Sequence, residues 1–424
     1  MPDRLTITVG PAEADITGTT NQALQAAVDR AAEGSGGVVQ VLPGTYEMHD
    51  SLHLRSGVAV RGAGAETVLR KMPSVQSALS ADLGYGHFDV SLAEPDRFCI
   101  GMGVHIQDDT APGFYGTVAT LTWRGGDRFG ISRMLNHDYG RARNAVVTSV
   151  YPAISGYHLS GAAVENLMID GNKGENAYLN GCRGGGIFLL QAHDVALRGL
   201  VVKNYNGDGI SFQQCLRTQI EGCLLEGNAG HGLHPGSGSV APAILGCRCV
   251  GNGADGIFYC LRVSYSLCEG CEITGNGHDG ISIGGRDTHH IVRGNRITGN
   301  GRHAVYFRPA DTAMGAHYNL IEGNGISANC ASEGDAEIMI EGETLHVHVM
   351  GNRFGSGGRA STAVRVGERC KEIVIVGNGA CSGFARAVDA RCPQEAISTT
   401  MPAEPLPVGP ENVPPAGMLH LGAA

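Results

Sequence analysis

No apolar run in this sequence approaches the ~18 residues that a membrane-crossing helix needs, so no helical span is expected. Positive charge is also in short supply. Lys and Arg number 31 against 41 Asp and Glu, and the net charge of -10 argues against a nucleic-acid partner. The opening MPDRLTITVGPAEADITGTT lacks a charged n-region followed by an apolar core, so no signal peptide is read there. The 65 glycines, about twice the usual share, show no three-residue period, which excludes a collagen-like chain. The 13 cysteines do not form the short, spaced framework of a secreted mini-protein. They are read mostly as buried thiols, and the compartment favoured is reducing and cytoplasmic. No strand–GxxxxGK–helix arrangement exists, so the glycine-rich turns are not phosphate loops.

What the chain does have is a repeat. Asn204, Asn228, Asn252, Asn276 and Asn300 each open a similar phrase, and they stand 24 residues apart. A glycine-apolar step follows in register at Ile187, Ile210, Leu233, Ile257, Ile281 and Val305, spaced 23, 23, 24, 24 and 24 residues. A second register runs through Leu167, Leu200, Cys223, Cys247, Cys271, Asn295, Asn324, Asn352 and Asn378. Each period holds two or three short strands that cannot bury their apolar sides alone, so coils must stack and share a core. Stacked strands lie ~4.8 Å apart. The expected fold is all-β, a parallel β-helix solenoid. Inward positions are the glycine-apolar row and a second row at Leu189, Phe212, Pro235, Tyr259, Ile283 and Phe307. The five asparagines are expected to form a ladder at one turn.

Four segments follow from this reading. Residues 1–71 form an N-terminal cap and first coils: Thr20 or Asn21 caps a helix with Leu24, Ala27, Val28 and Ala31 on one face. A strand and turn over Val38–Tyr46 and short strands at Ser51–Leu54 and Val58–Arg61 come next, with Gly62 and Gly64 at a bend. Residues 72–146 break the rhythm and hold the only tryptophan, Trp123, with many of the aromatics. They read as a β-rich insertion, which either walls a cleft or decorates the stack around its own small core. Residues 147–392 are the coils. Residues 393–424 carry 7 of the 17 prolines and read as an extended tail.

The repeat resembles that of right-handed parallel β-helix proteins of the pectate-lyase-like superfamily, over roughly residues 20–70 and 147–390. That group includes polysaccharide lyases, C5-epimerases, polygalacturonase-type hydrolases and phage tailspikes, so the resemblance specifies fold more than reaction. Gly230-His231-Gly232-Leu233 with Gly236-Ser237-Gly238 is similar to the Gly-His-Gly segment of the hydrolases, whose His assists a carboxylate. Those enzymes also need an Asp-Asp pair one coil earlier, where this chain has Gln213-Gln214 and a lone Asp208. The same strand is similar to the epimerase segment Tyr-Gly-Phe-Asp-Pro-His. Here its Tyr, Asp and His positions hold His231, His234 and Gly236.

In a solenoid the outer face of one sheet serves as the groove. The outward side chains of the glycine-apolar strand include Phe188, Ser211, Gln213, His234, Phe258, Cys260, Ser282, Tyr306 and Arg308. His231 and His234 depart from the repeat, and histidine is the residue type poised for acid–base work near neutral pH, so they are the first candidates for proton transfer. Asp208, Asp255 and Tyr306 complete the catalytic candidates. Asp255 and Asp279 fall one coil apart, within ~5 Å, and Asp208 and Asp255 two coils apart at ~10 Å, so paired-carboxylate hydrolysis stays open. An Asp before Gly is equally an ordinary turn residue.

Gln213, Phe258, Arg262, Asp279, Arg286 and Arg308 are the candidate substrate-binding residues. The three arginines, on consecutive coils, suggest an anionic, uronate-type substrate whose carboxylate must be neutralised before its α-proton is taken. No cofactor or metal is required by this reading. Ca²⁺ is compatible with the hard oxygen ligands of the Asp set, although no Ca²⁺-binding nonapeptide repeat is present. Cys247-x-Cys249 and Cys268-x-x-Cys271 have zinc-like spacing, but they occupy repeat positions that fit core packing better. The expected partner is a polysaccharide or oligosaccharide, with self-association into a homo-oligomer left open. Lyase or epimerase action, glycoside hydrolysis and a non-catalytic binding solenoid are the three functional alternatives.

Overall fold

The computed structural model describes residues 5–34, 36–179, 181–379, 383–400 and 406–413. The chain divides into two compact units, 1–212 with 223–234 and 213–222 with 235–424.

In the first unit the helix Asn21–Glu33 buries Leu24, Ala27, Val28 and Ala31, as its periodicity dictates. Thr20 stands at the N-cap but makes no side-chain cap bond, while Asn21 accepts the backbone N–H of His49 instead. The strands Gly37–Val41, Gly44–Met48 and Leu52–His53 follow. The bend expected at Gly62 and Gly64 is absorbed within one long strand, Val58–Lys71, whose pairing with Ala163–Asp170 shifts register there. A β-carbon at Gly62 would lie 2.5 Å from the Asn166 carbonyl oxygen, so only glycine admits this close approach.

Residues 76–148 form a six-stranded antiparallel sheet with its own core, including Val90, Phe98, Val104, Ile106, Leu121, Phe129 and Val147. Trp123, Tyr85, Phe88, Phe114 and Tyr115 are left exposed. Beyond the insertion the coils run in parallel register, Ile154 against Ile187, Ala163 against Ala196 and Met168 against Val201. A full coil has three strands, for example Ile187–Leu190, Ala196–Arg198 and Val201–Lys203. Ile187, Leu189, Ile210, Phe212 and Leu233 point inward and are fully buried. Each such side chain contributes roughly 1.5–3 kcal/mol relative to its exposure in water.

The second unit repeats this plan. Leu267 pairs with Ile291, Glu272 with Arg296 and Ile281 with Val305. Ile257, Tyr259, Ile281, Ile283, Val305 and Phe307 are buried inside. The asparagine ladder is present: Asn252 donates from its amide nitrogen to Asn276 at 2.9 Å, Asn276 to Asn300 at 2.9 Å and Asn300 to Asn329 at 2.7 Å. A second ladder joins Asn295, Asn324, Asn352 and Asn378. Cys247 and Cys271 occupy the same row and donate their S–H groups to the Ile220 and Ile244 carbonyls. All cysteines among the described residues are free thiols.

Asn204, expected to begin the first ladder, lies exposed in the first unit with φ 50°. Tyr205 takes its place by donating its N–H to Asn228 at 3.0 Å. The expected tail is also more ordered than its composition suggests. Ile397–Ser398 adds a parallel strand beside Ile373, and Gly409 donates to the His289 carbonyl. The parts of that tail at 401–405 and 414–424 lie outside the described residues. No helix among the described residues is long and apolar enough to cross a membrane.

Candidate functional site

Three sequence candidates meet in the first unit. Asp208 ends the turn that enters the Ile210–Gln213 strand, and one coil later His231 and His234 flank the start of Leu233–Gly236. Asp208 accepts the backbone N–H of His231 on Oδ1 at 2.8 Å and faces His234 Nδ1 from Oδ2 at 2.7 Å. A β-carbon at Gly230 would sit 2.3 Å from Asp208 Oδ1, so glycine there makes room for the carboxylate. The two imidazole rings meet edge to face with centroids 5.2 Å apart. Burial works against the Asp208 charge, but the adjoining His234 outweighs it and holds the carboxyl below its ordinary range. Asp208 and His234 are buried, and His231 is half-buried.

One ligand atom from each of Asp208, His231 and His234 lies within 4.8 Å of the others, and no other such group of three occurs among the described residues. Two imidazoles and one carboxylate suit a borderline transition ion rather than Ca²⁺, which takes six to eight oxygens. The cysteines of zinc-like spacing form no such group.

In the second unit the aspartates do structural work. Asp255 accepts the Asp279 N–H at 2.8 Å, and Asp279 accepts the His303 N–H at 3.0 Å. Each caps the turn of the next coil, so the recurring Asp-Gly step is explained without catalysis. Burial, reinforced by the charge of Asp255, pushes the Asp279 carboxyl up to about 7.

Arg308 is not available as a substrate clamp. Its guanidinium donates to Ser282 Oγ and the Tyr259 carbonyl at 2.7 Å, reaches Asp287 at 3.4 Å and lies 4.4 Å over the Phe258 ring. Phe258 is thus occupied as well. Arg262 and Arg286 are exposed on turns with φ 55° and 63°. Tyr306 donates its hydroxyl to Glu341 at 2.7 Å, and burial with the Glu341 hydrogen bond and charge raises its pKa, which suits a proton donor rather than a base. Gln213 is buried, with its amide against Gly236. Phe188 and Ser211 are buried too, so the outward row is less open than a bare solenoid face would be.

A cavity of about 700 Å³ lies elsewhere in the first unit, and nothing in the repeat pointed to it. It is bordered by the helix, the first coils and the insertion. Asp50, His53, Thr120, Arg133, Ser155 and Tyr157 are its chemically distinctive lining. His53 and Ser155 are direct register partners on adjacent strands, although 102 residues apart in sequence. The insertion therefore has its own core and also walls a cleft.

A family model described as "Right handed beta helix region" matches residues 138–265. No curated protein sequence matches the chain. Among solved structures, the A-module of the Azotobacter vinelandii mannuronan C-5 epimerase AlgE6 is similar at 15% identity, covering 91% of this chain and 96% of that one with a TM-score of 0.55. The AlgE4 A-module of the same organism gives 15% identity, coverage of 90% and 96%, and a TM-score of 0.50. An exopolygalacturonase from Thermotoga maritima gives 14%, 84% and 82%, and 0.53. At such identities the likeness is one of fold. Strand pairing, core rows and these comparisons together make the chain a right-handed parallel β-helix.

Proposed function

We propose that this protein is a carbohydrate-active enzyme acting on an extended, uronate-containing polysaccharide by lyase- or epimerase-type proton abstraction. The observation that carries the reading is the buried Asp208–His234 pair, 2.7 Å long, with the half-buried His231 packed against it. A carboxylate on one ring nitrogen fixes tautomer and orientation, as proton-transfer imidazoles require. His231, the more accessible ring, takes the proton α to the sugar carboxylate, and the Asp208–His234 pair holds the geometry. The similar epimerase modules and exopolygalacturonase support a glycan substrate by analogy of fold.

The test is a panel of uronic-acid and neutral polysaccharides. Lyase action creates a C4–C5 double bond absorbing near the ultraviolet edge, and epimerase action exchanges the C5 proton with solvent. Unchanged activity in both His231→Ala and His234→Ala would remove this site. A glycoside hydrolase is the second reading, supported by the fold likeness to the exopolygalacturonase. It would produce reducing ends without the double bond. A panel with neither signal would leave a binding solenoid.

A further inference from the structure

The 700 Å³ cavity of the first unit contains a hydrogen-bonded relay that the reading above does not use. Ser155 Oγ lies 2.8 Å from His53 Nδ1, and His53 Nε2 lies 3.3 Å from Asp50 Oδ2. Asp50 is itself fixed, accepting the Thr120 hydroxyl at 2.6 Å and the Ser51 N–H at 2.8 Å. The His53 backbone is gripped from both sides by Gln25 of the helix, which accepts its N–H at 2.8 Å and donates to its carbonyl at 3.1 Å. Such a supported nucleophile–base–carboxylate chain is what acyl transfer needs, and it is recognised by geometry rather than by fold. Relative to the serine-protease arrangement the imidazole is turned over. The requirement is the same: Nε2–H donates to the carboxylate and the Nδ1 lone pair faces the hydroxyl.

We propose that this cavity is a second, hydrolytic centre for small O-acyl esters, with Ser155 as nucleophile, His53 as base and Asp50 orienting the base. Ser155 Oγ attacks the acyl carbonyl carbon while its proton passes to His53 Nδ1. The ester C–O bond breaks, and the leaving alcohol oxygen takes that proton. Water, deprotonated by His53, then attacks the acyl-serine and releases the carboxylic acid, restoring the hydroxyl. Arg133, with its guanidinium 3.6 Å from the Tyr157 ring on the same wall, is the cation available to the developing oxyanion. Ser155 is only 1% exposed, and the exposed Arg133 lines the same recess. That the acyl group is carried by a sugar rests on the glycan reading; the relay does not.

The full chain is assayed with p-nitrophenyl acetate and with an O-acetylated polysaccharide, following nitrophenolate and acetate release. In parallel it is treated with a fluorophosphonate probe and peptide-mapped. Expected are turnover of both esters, a fall of about 10³-fold or more in Ser155→Ala, and probe on Ser155 that is lost in His53→Ala. Ser155→Ala deletes one hydroxyl, so an unchanged melting temperature shows that its loss is chemical. Wild-type hydrolysis no faster than Ser155→Ala, or probe on another serine, overturns the centre. Turnover of nitrophenyl acetate alone removes sugar as the carrier and keeps the centre. Esterase activity intact in His234→Ala separates this centre from the Asp208 cluster.

Discussion

Asp279 offers a direct measurement of what a buried carboxylate does in the second unit. Its carboxyl is pushed from 3.8 to about 7, first by burial and then by Asp255. Between pH 4 and 7 the native state therefore keeps a proton that the unfolded chain has released, and stability must fall as pH rises across that window. Three pH units at ~1.4 kcal/mol each give about 4 kcal/mol as an upper figure. Asn at this position cannot ionise, yet retains a side-chain oxygen to accept the His303 N–H. Asp279→Asn should therefore be near neutral at pH 4 and more stable than the parent at pH 8. In a folded body of about 200 residues, 4 kcal/mol corresponds to roughly 8–16 °C in melting temperature. Thermal unfolding of both proteins at pH 4, 6 and 8 is the assay. Equal pH slopes, or a variant less stable than its parent at pH 8, would refute the reasoning.

Asn276→Ala removes one buried side chain that makes four hydrogen bonds, to Asn252 twice, Asn300 and the Cys249 carbonyl. At 0.5–1.5 kcal/mol each this costs about 2–6 kcal/mol, read as a lower denaturation midpoint, whereas Asn204→Ala, exposed at φ 50°, should cost only the ~1 kcal/mol that alanine meets in a left-handed turn. Arg308→Ala strands the buried Asp287, and about 3–5 kcal/mol of stability should be lost with any activity. Arg262→Ala and Arg286→Ala, exposed on turns of the second unit, should leave the melting temperature in place. If Ca²⁺ serves the reaction, chelation abolishes polysaccharide turnover and added calcium restores it; unchanged turnover in chelator removes calcium from the account.

The coils were legible because burial repeats with the period of the backbone. Ile210, Ile281 and Phe307 could be assigned inward from spacing alone, and Cys247, Cys271, Asn295 and Asn324 share one row whatever their chemistry. The ladder's start was misread at Asn204 because spacing identifies a turn, not which of two adjacent residues points inward, and Tyr205 does. Arg308 illustrates a second limit. Its outward position was right, but a long side chain reaches back over Phe258 to carbonyls of earlier coils, and no pattern reports that. The Asp208, His231 and His234 grouping was visible as a break in the repeat. The His53–Ser155 pair was not, because the insertion separates the two strands and leaves no period to follow.

The asparagine ladder also has a direction. Asn276 and Asn300 each accept on the oxygen from the preceding coil and donate from the nitrogen to the next, in a series that runs from Asn252 to Asn329. The series ends where Asn329 donates at 2.7 Å to Glu337, whose side chain carries no amide to continue the pattern. A ladder of this kind grows by whole units and stops at a side chain that has no amide to extend it. Duplicating residues 253–276 in place would insert one more rung between Asn276 and Asn300 without altering any bond on either side. The second unit is thus built to change its length in steps of one coil.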